Sequence, residues 1–306
     1  MARGARTVSR LSSAAADNRR HPRLTGQALA SGGPIHQASR TRPAMIAYLL
    51  AITLCCPLTA AETPMPWPHP RLVAHRGGAL LAPENTLPAF AEAARRGYRA
   101  IECDVALTAD GVPVLLHDAT LKRTAGLDAR LANTPLATVT ALEAGAWFAP
   151  RFTGTRIPTL EQAIAAWQRD GQQALIELKV HKGEDPERLG RTAAGVVLRC
   201  WRGEPPMFIS FDAKALAAAA ATAPAVPRAL LLESPWPDDW KARVATARAT
   251  ALDIEHTLVT AARVAAIHAA GLHLIAWTVN EPARAHELLA LGVDAITTDA
   301  IDRIAP

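Results

Sequence analysis

Residues 71–90 read RLVAHRGGALLAPENTLPAF, and residues 100–118 read AIECDVALTADGVPVLLHD. These stretches decide the fold, because each apolar run stops abruptly on polar residues instead of alternating with them. The run from Arg71 to Ala74 is a short β-type segment that ends on His75, Arg76, Gly77 and Gly78. A basic pair followed by a permissive backbone makes a turn that can bring amides and a guanidinium close to an anion. The run from Ala100 to Val105 places Glu102 and Asp104 two residues apart on a strand, so both carboxylates point to one face. Two such carboxylates repel each other unless a cation lies between them. A third run, Val112 to Leu116, ends on His117 and Asp118.

Outward from this core, strands and helices alternate, the pattern of parallel β-structure with crossover helices. Strands are predicted at Leu72 to Ala74, Ala100 to Val105, Ala174 to Leu178, Met207 to Ser210, Ala229 to Leu232, Ala251 to Ile254, Leu272 to Trp277 and Ala295 to Thr298. Eight is the number that closes a barrel, so the expected fold is a (β/α)8 TIM barrel. Most intervening helices start near an Asp, Thr or Asn, and Gly97, Gly271 and Gly292 stand where helices must stop. Asn85 reads as the cap of the first helix. Between His117 and Pro158 the alternation fails, although Leu, Trp and Phe are too frequent there for disorder.

Active sites in this fold collect at the carboxyl ends of the strands. That rule gathers His75, Glu102, Asp104, Glu177, Lys179, Ser210 and Trp277 at one mouth. Glu177 and Lys179 are again two apart and share a face. Three inward carboxylates among oxygen-rich neighbours suit a hard divalent cation, Mg²⁺ or Ca²⁺, and not zinc, which takes more His or Cys. The competing reading is a set of salt-bridged structural carboxylates. Lys179 either contacts an anionic substrate or balances Glu177, and Trp277 either walls a pocket or packs the barrel. Trp147 and Phe148 either lie over the mouth or anchor the segment that carries them, and His181, Glu255 and His256 read as rim residues.

The motifs His75-Arg76-Gly77, Pro83-Glu84-Asn85-Thr86, Ile101-Glu102 with Asp104, Asp110-Gly111 and His117-Asp118 resemble the signature of the glycerophosphodiester phosphodiesterase family. The likeness continues through Ile176-Glu177-Leu178-Lys179, Ser210-Phe211-Asp212, Trp277-Thr278-Val279-Asn280 and Thr298-Asp299, and so covers roughly residues 66–306. WPHPRLVAHRGG and TDAIDRIAP look most like its cytosolic bacterial members. The resemblance implies a barrel with a small cap inserted after the second strand, at about 118–158. It implies Glu102, Asp104 and Glu177 as metal ligands, and His75 and His117 as a general acid and base whose order stays open. Arg76, Lys179 and Trp277 become the expected substrate contacts. Cys103 stands where a bulkier apolar residue is usual in the family; lying between two inward carboxylates, it should face the helices.

Charge and cysteine content set bounds. Residues 1–44 hold eight Arg against one acid, Asp17, a formal +7 within a chain whose net charge is +5. The remainder is slightly acidic, which argues against nucleic acid, since that partner needs a basic stripe. Cys103 and Cys200 are the only cysteines beyond the leader, so no disulfide framework is implied. Residues 1–64 read as a disordered or untranslated leader, with an export-like apolar stretch at 45–61 too short for a transmembrane helix. Export signals belong at the very start of a chain, and Met65 stands just before the family likeness begins. The expected enzyme therefore spans residues 65–306 and is cytoplasmic; the alternative is a periplasmic enzyme started at Met45 and cut near Ala61.

The expected activity is metal-dependent hydrolysis of small glycerophosphodiesters to sn-glycerol 3-phosphate and an alcohol. Two alternatives are a related phospholipase-type phosphodiesterase acting on lysophospholipids or phosphoinositides, and a catalytically silent binding module of the same fold. No stable membrane insertion is expected.

Overall fold

A computed structural model describes residues 66–306. Strand β1 (Leu72–Ala74) leads into a helical turn at His75–Gly77, and α1 (Leu87–Arg95) returns the chain to β2 (Ala100–Leu107). The alternation then breaks, because Thr108 Oγ1 accepts from the Val112 amide at 3.0 Å and Gly111 adopts φ 80°, closing a tight turn. Strand β3 (Pro113–Leu115) consequently runs back antiparallel to β2. Short helices α2 (Lys122–Ala125) and α3 (Leu136–Ala141) follow before the alternation resumes. It continues as α4 (Leu160–Arg169), β4 (Gln173–Leu178), α5 (Pro186–Cys200), β5 (Met207–Ser210), α6 (Ala213–Thr222) and β6 (Arg228–Leu232). The last units are α7 (Trp240–Ala247), β7 (Ala251–Glu255), α8 (Ala261–Ala269), β8 (His273–Trp277), α9 (Pro282–Ala290) and β9 (Ala295–Thr298).

All strands but β3 are parallel. They pair in the order β1, β2, β4, β5, β6, β7, β8, β9, and β9 pairs with β1 to close a (β/α)8 TIM barrel. The predicted strands coincide with these eight to within two residues at each end. The hairpin strand β3 is an addition, since the run that delivers His117 pairs outside the barrel with β2.

Alternation along each strand sorts the side chains. Ala100, Leu175, Ile209, Ala229 and Ile275 fill the barrel interior, while Cys103, Val105 and Ile176 pack outward among the helices. Cys103 therefore points away from Glu102 and Asp104, as its parity requires. Asp185 and Asp212 cap α5 and α6 by accepting first-turn amides, an arrangement typically worth about 1 kcal/mol each. The insertion after β2 has a small core of its own, in which Leu121, Leu131, Val139 and Ile157 pack on Val114 and Leu116. Trp147 and Phe148 stack edge to face within it, and Phe148 stacks on Phe152 in the same way.

The apolar stretch at 45–61 and the start at Met65 lie outside the described residues. Among the described residues no helix is long and apolar enough to cross a membrane.

Candidate active site

The turn after β1 builds the first wall of the site. Arg76 at φ 51° is followed by Gly77 at φ 84° and Gly78 at φ 92°, three successive left-handed residues. Glycine accepts that conformation freely. For arginine it costs energy and persists only where its surroundings over-determine it. They do so here: the Arg76 amide donates to Glu102 Oε2 at 3.1 Å, and the Arg76 carbonyl accepts from the Asn85 amide at 3.0 Å. The Arg76 guanidinium donates from Nη1 to Glu84 Oε1 at 3.0 Å, and its Nε stands 3.2 Å from Asp104 Oδ2.

Asn85 does not cap α1. Thr86 holds the cap position, and Asn85, at φ 58°, turns its amide back onto β2. Its Nδ2 donates to Asp104 Oδ2 at 2.8 Å and its Oδ1 accepts from the Asp104 amide at 3.0 Å. A buried charge partner outweighs a cap at the surface, since hydrogen bonds to charged groups contribute about 1.5–3 kcal/mol.

Glu102, Asp104 and Glu177 converge, each offering an oxygen within 4.8 Å of the others, and all three are buried. Glu102 Oε1 has no hydrogen-bond partner among the described residues. Lys179 Nζ lies 2.9 Å from Glu177 Oε1 and 3.2 Å from Asp104 Oδ1. Burial, reinforced by Asp104, pushes the Glu177 carboxyl up to about 8. Glu102 is pushed well above the carboxylate range by burial and then by Asp104 and Glu177. Burial opposes ionisation of Asp104 too, but Lys179 and Arg76 outweigh it and hold that group low. An all-oxygen donor set that includes the unpartnered, buried Glu102 Oε1 fits a hard divalent cation.

Both histidines are backed by carboxylates. His75 Nδ1 lies 2.6 Å from Asp299 Oδ1, and Asn280 grips Asp299 by donating to Oδ2 at 3.0 Å and accepting from its amide at 2.9 Å. His117 Nδ1 lies 2.9 Å from Asp118 Oδ1. A carboxylate on Nδ1 fixes the tautomer and leaves Nε2 for other work. Burial pulls the His117 imidazole below its ordinary value, so it is neutral at pH 7. Asp118 is pulled down to about 2, chiefly by hydrogen bonds from Arg123.

Arg123, on α2 of the insertion, ties these walls together. It donates to Asp118 Oδ2 at 2.8 Å and to Glu84 Oε2 at 2.6 Å, and Glu84 in turn holds Arg76. One guanidinium thus connects the carboxylate behind His117 to the carboxylate that holds Arg76. Neither Arg123 nor the carboxylates Asp118 and Asp299 carried an assigned role in the sequence; the pairs Arg123–Glu84 and His75–Asp299 join segments 39 and 224 positions apart and leave no local pattern.

A cavity of about 220 Å³ opens between these groups. His75, Arg76, Glu102, His117, Glu177, Lys179 and Trp277 line it, together with Phe211, Leu231, Glu233, Asp253 and Thr297. Trp277 is a wall residue whose indole donates to the Asp253 carbonyl at 3.2 Å and meets Phe211 edge to face. Ser210 is not part of the lining: its hydroxyl donates to the Leu178 carbonyl at 2.7 Å, and its neighbours Ile209 and Phe211 face the cavity instead. His181, Glu255, His256, Trp147 and Phe148 do not line it either.

Comparison with known proteins places the chain among relatives. YhdW of Bacillus subtilis, named as a candidate glycerophosphodiester phosphodiesterase, is 32% identical over 237 residues, spanning 76% of this chain and 96% of that protein. Glycerophosphodiester phosphodiesterase 1 of Mus musculus is 40% identical over 111 residues, 36% of this chain and 34% of its own. The structure superposes on an Oleispira antarctica phosphodiesterase solved with the product sn-glycerol-3-phosphate, with a TM-score of 0.72 and 33% identity over 76% of this chain and 94% of that one. Residues 75–303 match the model of the glycerophosphoryl diester phosphodiesterase family, the span that runs from the first histidine of the site to just beyond the aspartate that orients it, and the chain belongs to that family.

Proposed function

We propose that this chain hydrolyses small glycerophosphodiesters to sn-glycerol 3-phosphate and an alcohol, in a metal-dependent reaction that uses His75 and His117 for proton transfer. The observation that carries this reading is the convergence of three buried carboxylates, two of which, Glu102 and Glu177, line one cavity with Arg76, Lys179 and two carboxylate-backed histidines. A phosphodiester resists attack because its oxygens are anionic and its alkoxide is a poor leaving group. Arg76 and Lys179 bind and orient the phosphoryl oxygens. One histidine takes the proton from the attacking hydroxyl or water, and the other delivers a proton to the departing oxygen, each at Nε2. Asp299 and Asp118 hold the Nδ1 protons and keep both rings aimed. Glu102, Asp104 and Glu177 would hold Mg²⁺ or Ca²⁺, which when bound supplies Lewis-acid neutralisation of the phosphoryl charge. The test is release of glycerol 3-phosphate from glycerophosphocholine and its ethanolamine, inositol and glycerol analogues; a protein that cleaves none of them contradicts the reading.

Cation binding should depend on pH with a definite sign. The Glu177 carboxyl, at about 8, is largely protonated below that value, and a cation must displace that proton. Affinity should therefore rise between pH 6 and 8, by up to about tenfold per unit for each proton released, and flatten above. Isothermal titration of Mg²⁺ or Ca²⁺ across that range checks it, and an affinity independent of pH would contradict it.

Arg123→Met should lower kcat by roughly tenfold or more with little change in cation affinity, because the side chain acts through Asp118 and Glu84 on the positions of His117 and Arg76. Arg123→Lys keeps the charge but cannot serve both carboxylates as a fork, so it should recover only part of the loss. Steady-state kinetics beside cation titration separate this outcome from general unfolding.

We also propose that the working enzyme is cytoplasmic and that residues 65–306 suffice for folding and full activity. Support comes from the family match, which begins at residue 75, and from Cys103 and Cys200, which are free thiols among the described residues. Residues 65–306 expressed alone should match the full chain in kcat/KM and melting temperature. Mass spectrometry of the native amino terminus after cell fractionation decides location, and a periplasmic species beginning near Glu62 would overturn it.

A further inference from the structure

Asp253 is a buried acid that the proposed mechanism does not use. It sits in the middle of β7, where Ala251 points into the barrel and parity sends Asp253 the same way. Its residue is 1% exposed, it lines the cavity, and its Oδ1 has no hydrogen-bond partner among the described residues. No ion pair engages it there. Leaving a buried carboxyl without a partner costs on the order of 1–3 kcal/mol or more, so the fold gains nothing from this residue by itself. Thr297, on the same cavity, likewise has an unpartnered hydroxyl.

Position says what such a group can receive. Counting around the closed barrel, β7 lies four strands from β2, directly opposite the strand that carries Glu102 and Asp104. The cations Arg76 and Lys179 follow β1 and β4, the strands that flank β2. The anionic end of a substrate is drawn to that side and so away from Asp253. Depth points the same way: Asp253 pairs with Ile275 and Glu255 with Trp277, so Asp253 lies one inward position deeper than the Trp277 wall. A group reaching it is enclosed, uncharged and able to exchange hydrogen bonds with a carboxyl.

We propose that Asp253 is a specificity-determining residue that receives a free hydroxyl of the glycerol unit, holding that unit inward and leaving the variable alcohol toward the open mouth. This rests on the glycerophosphodiester reading above and assigns the orientation of the substrate within it. Leu231 and Trp277 offer the carbon backbone of the glycerol an apolar surface, and the carboxyl distinguishes a polyol from a plain alkyl or aryl phosphate.

The test measures binding to the cation-loaded full chain by calorimetry, with sn-glycerol 3-phosphate and inorganic phosphate as paired probes. Asp253→Ala should weaken glycerol 3-phosphate by about tenfold or more and change phosphate by less than about twofold, the loss expected for a buried hydrogen bond made only by the polyol. Asp253→Asn keeps donor and acceptor atoms and should retain most of the affinity. The melting temperature of Asp253→Ala should stay level or rise, since an unsatisfied buried acid has been removed. Equal weakening of both probes, a fall in melting temperature that accounts for the loss, or unchanged glycerol 3-phosphate affinity would each overturn the proposal. Failure of the wider reading looks different: the parent protein would then cleave no glycerophosphodiester, and the orientation assigned here would fall with it.

Discussion

Replacing His117 with alanine should lower turnover by about 10²- to 10⁴-fold while leaving the barrel folded and cation binding intact, and His75→Ala should do the same. The magnitude is that of a lost general acid or base, and the geometry says why neither ring has a substitute nearby. Each imidazole is held through Nδ1 by its own aspartate, His75 by Asp299 and His117 by Asp118, and no other imidazole lines the cavity. The neutral His117 can accept a proton at pH 7, whereas the carboxylates beside it are occupied by Arg123 or enclosed among the convergent acids. Steady-state rates with circular dichroism and cation titration on the same preparations check this. A variant with normal turnover removes its histidine from the mechanism, and a loss that follows unfolding returns it to a structural role.

The second large effect concerns the carboxylates. Glu102→Gln, Asp104→Asn and Glu177→Gln should each weaken Mg²⁺ or Ca²⁺ binding by more than about tenfold and reduce activity in proportion at limiting cation. The three are not equivalent. Asp104 is already held ionised by Lys179 and Arg76 and oriented by Asn85, so its replacement also disturbs the arginine and should be the most damaging. Glu177→Gln removes the partner of Lys179 as well as an oxygen donor. Calorimetric titration of each variant gives the affinities, and unaltered binding in all three would return them to structural salt bridges.

Much of this site was legible in the sequence, for a physical reason that applies strand by strand. A polar residue that abruptly ends an apolar run must either face water at a barrel mouth or be satisfied inside, and His75, Glu177, Lys179 and Trp277 all stand at such ends. Period-two parity then put Glu102 and Asp104 on one face and Cys103 on the other. What could not be read depends on backbone conformation or on contacts between distant segments. Asn85 illustrates the first: asparagine suits both a helix cap and a left-handed turn, and only its φ of 58° sends the amide to Asp104. Asp299 illustrates the second, since its partner His75 is 224 positions away. Ser210 was assigned to the mouth from its place at a strand end, yet parity turns it out of the cavity that Ile209 lines. Asp253 did leave a signal, an acid between the apolar Leu252 and Ile254 at an inward position of β7.

The measurement that bears most directly on the central claim is the rate of glycerol 3-phosphate release from glycerophosphocholine by the purified full chain, before chelation, after exhaustive chelation, and after Mg²⁺ or Ca²⁺ is returned. A site built on Glu102, Asp104 and Glu177 predicts that release stops on chelation and recovers when the cation is restored. Undiminished release from the fully chelated protein would contradict it.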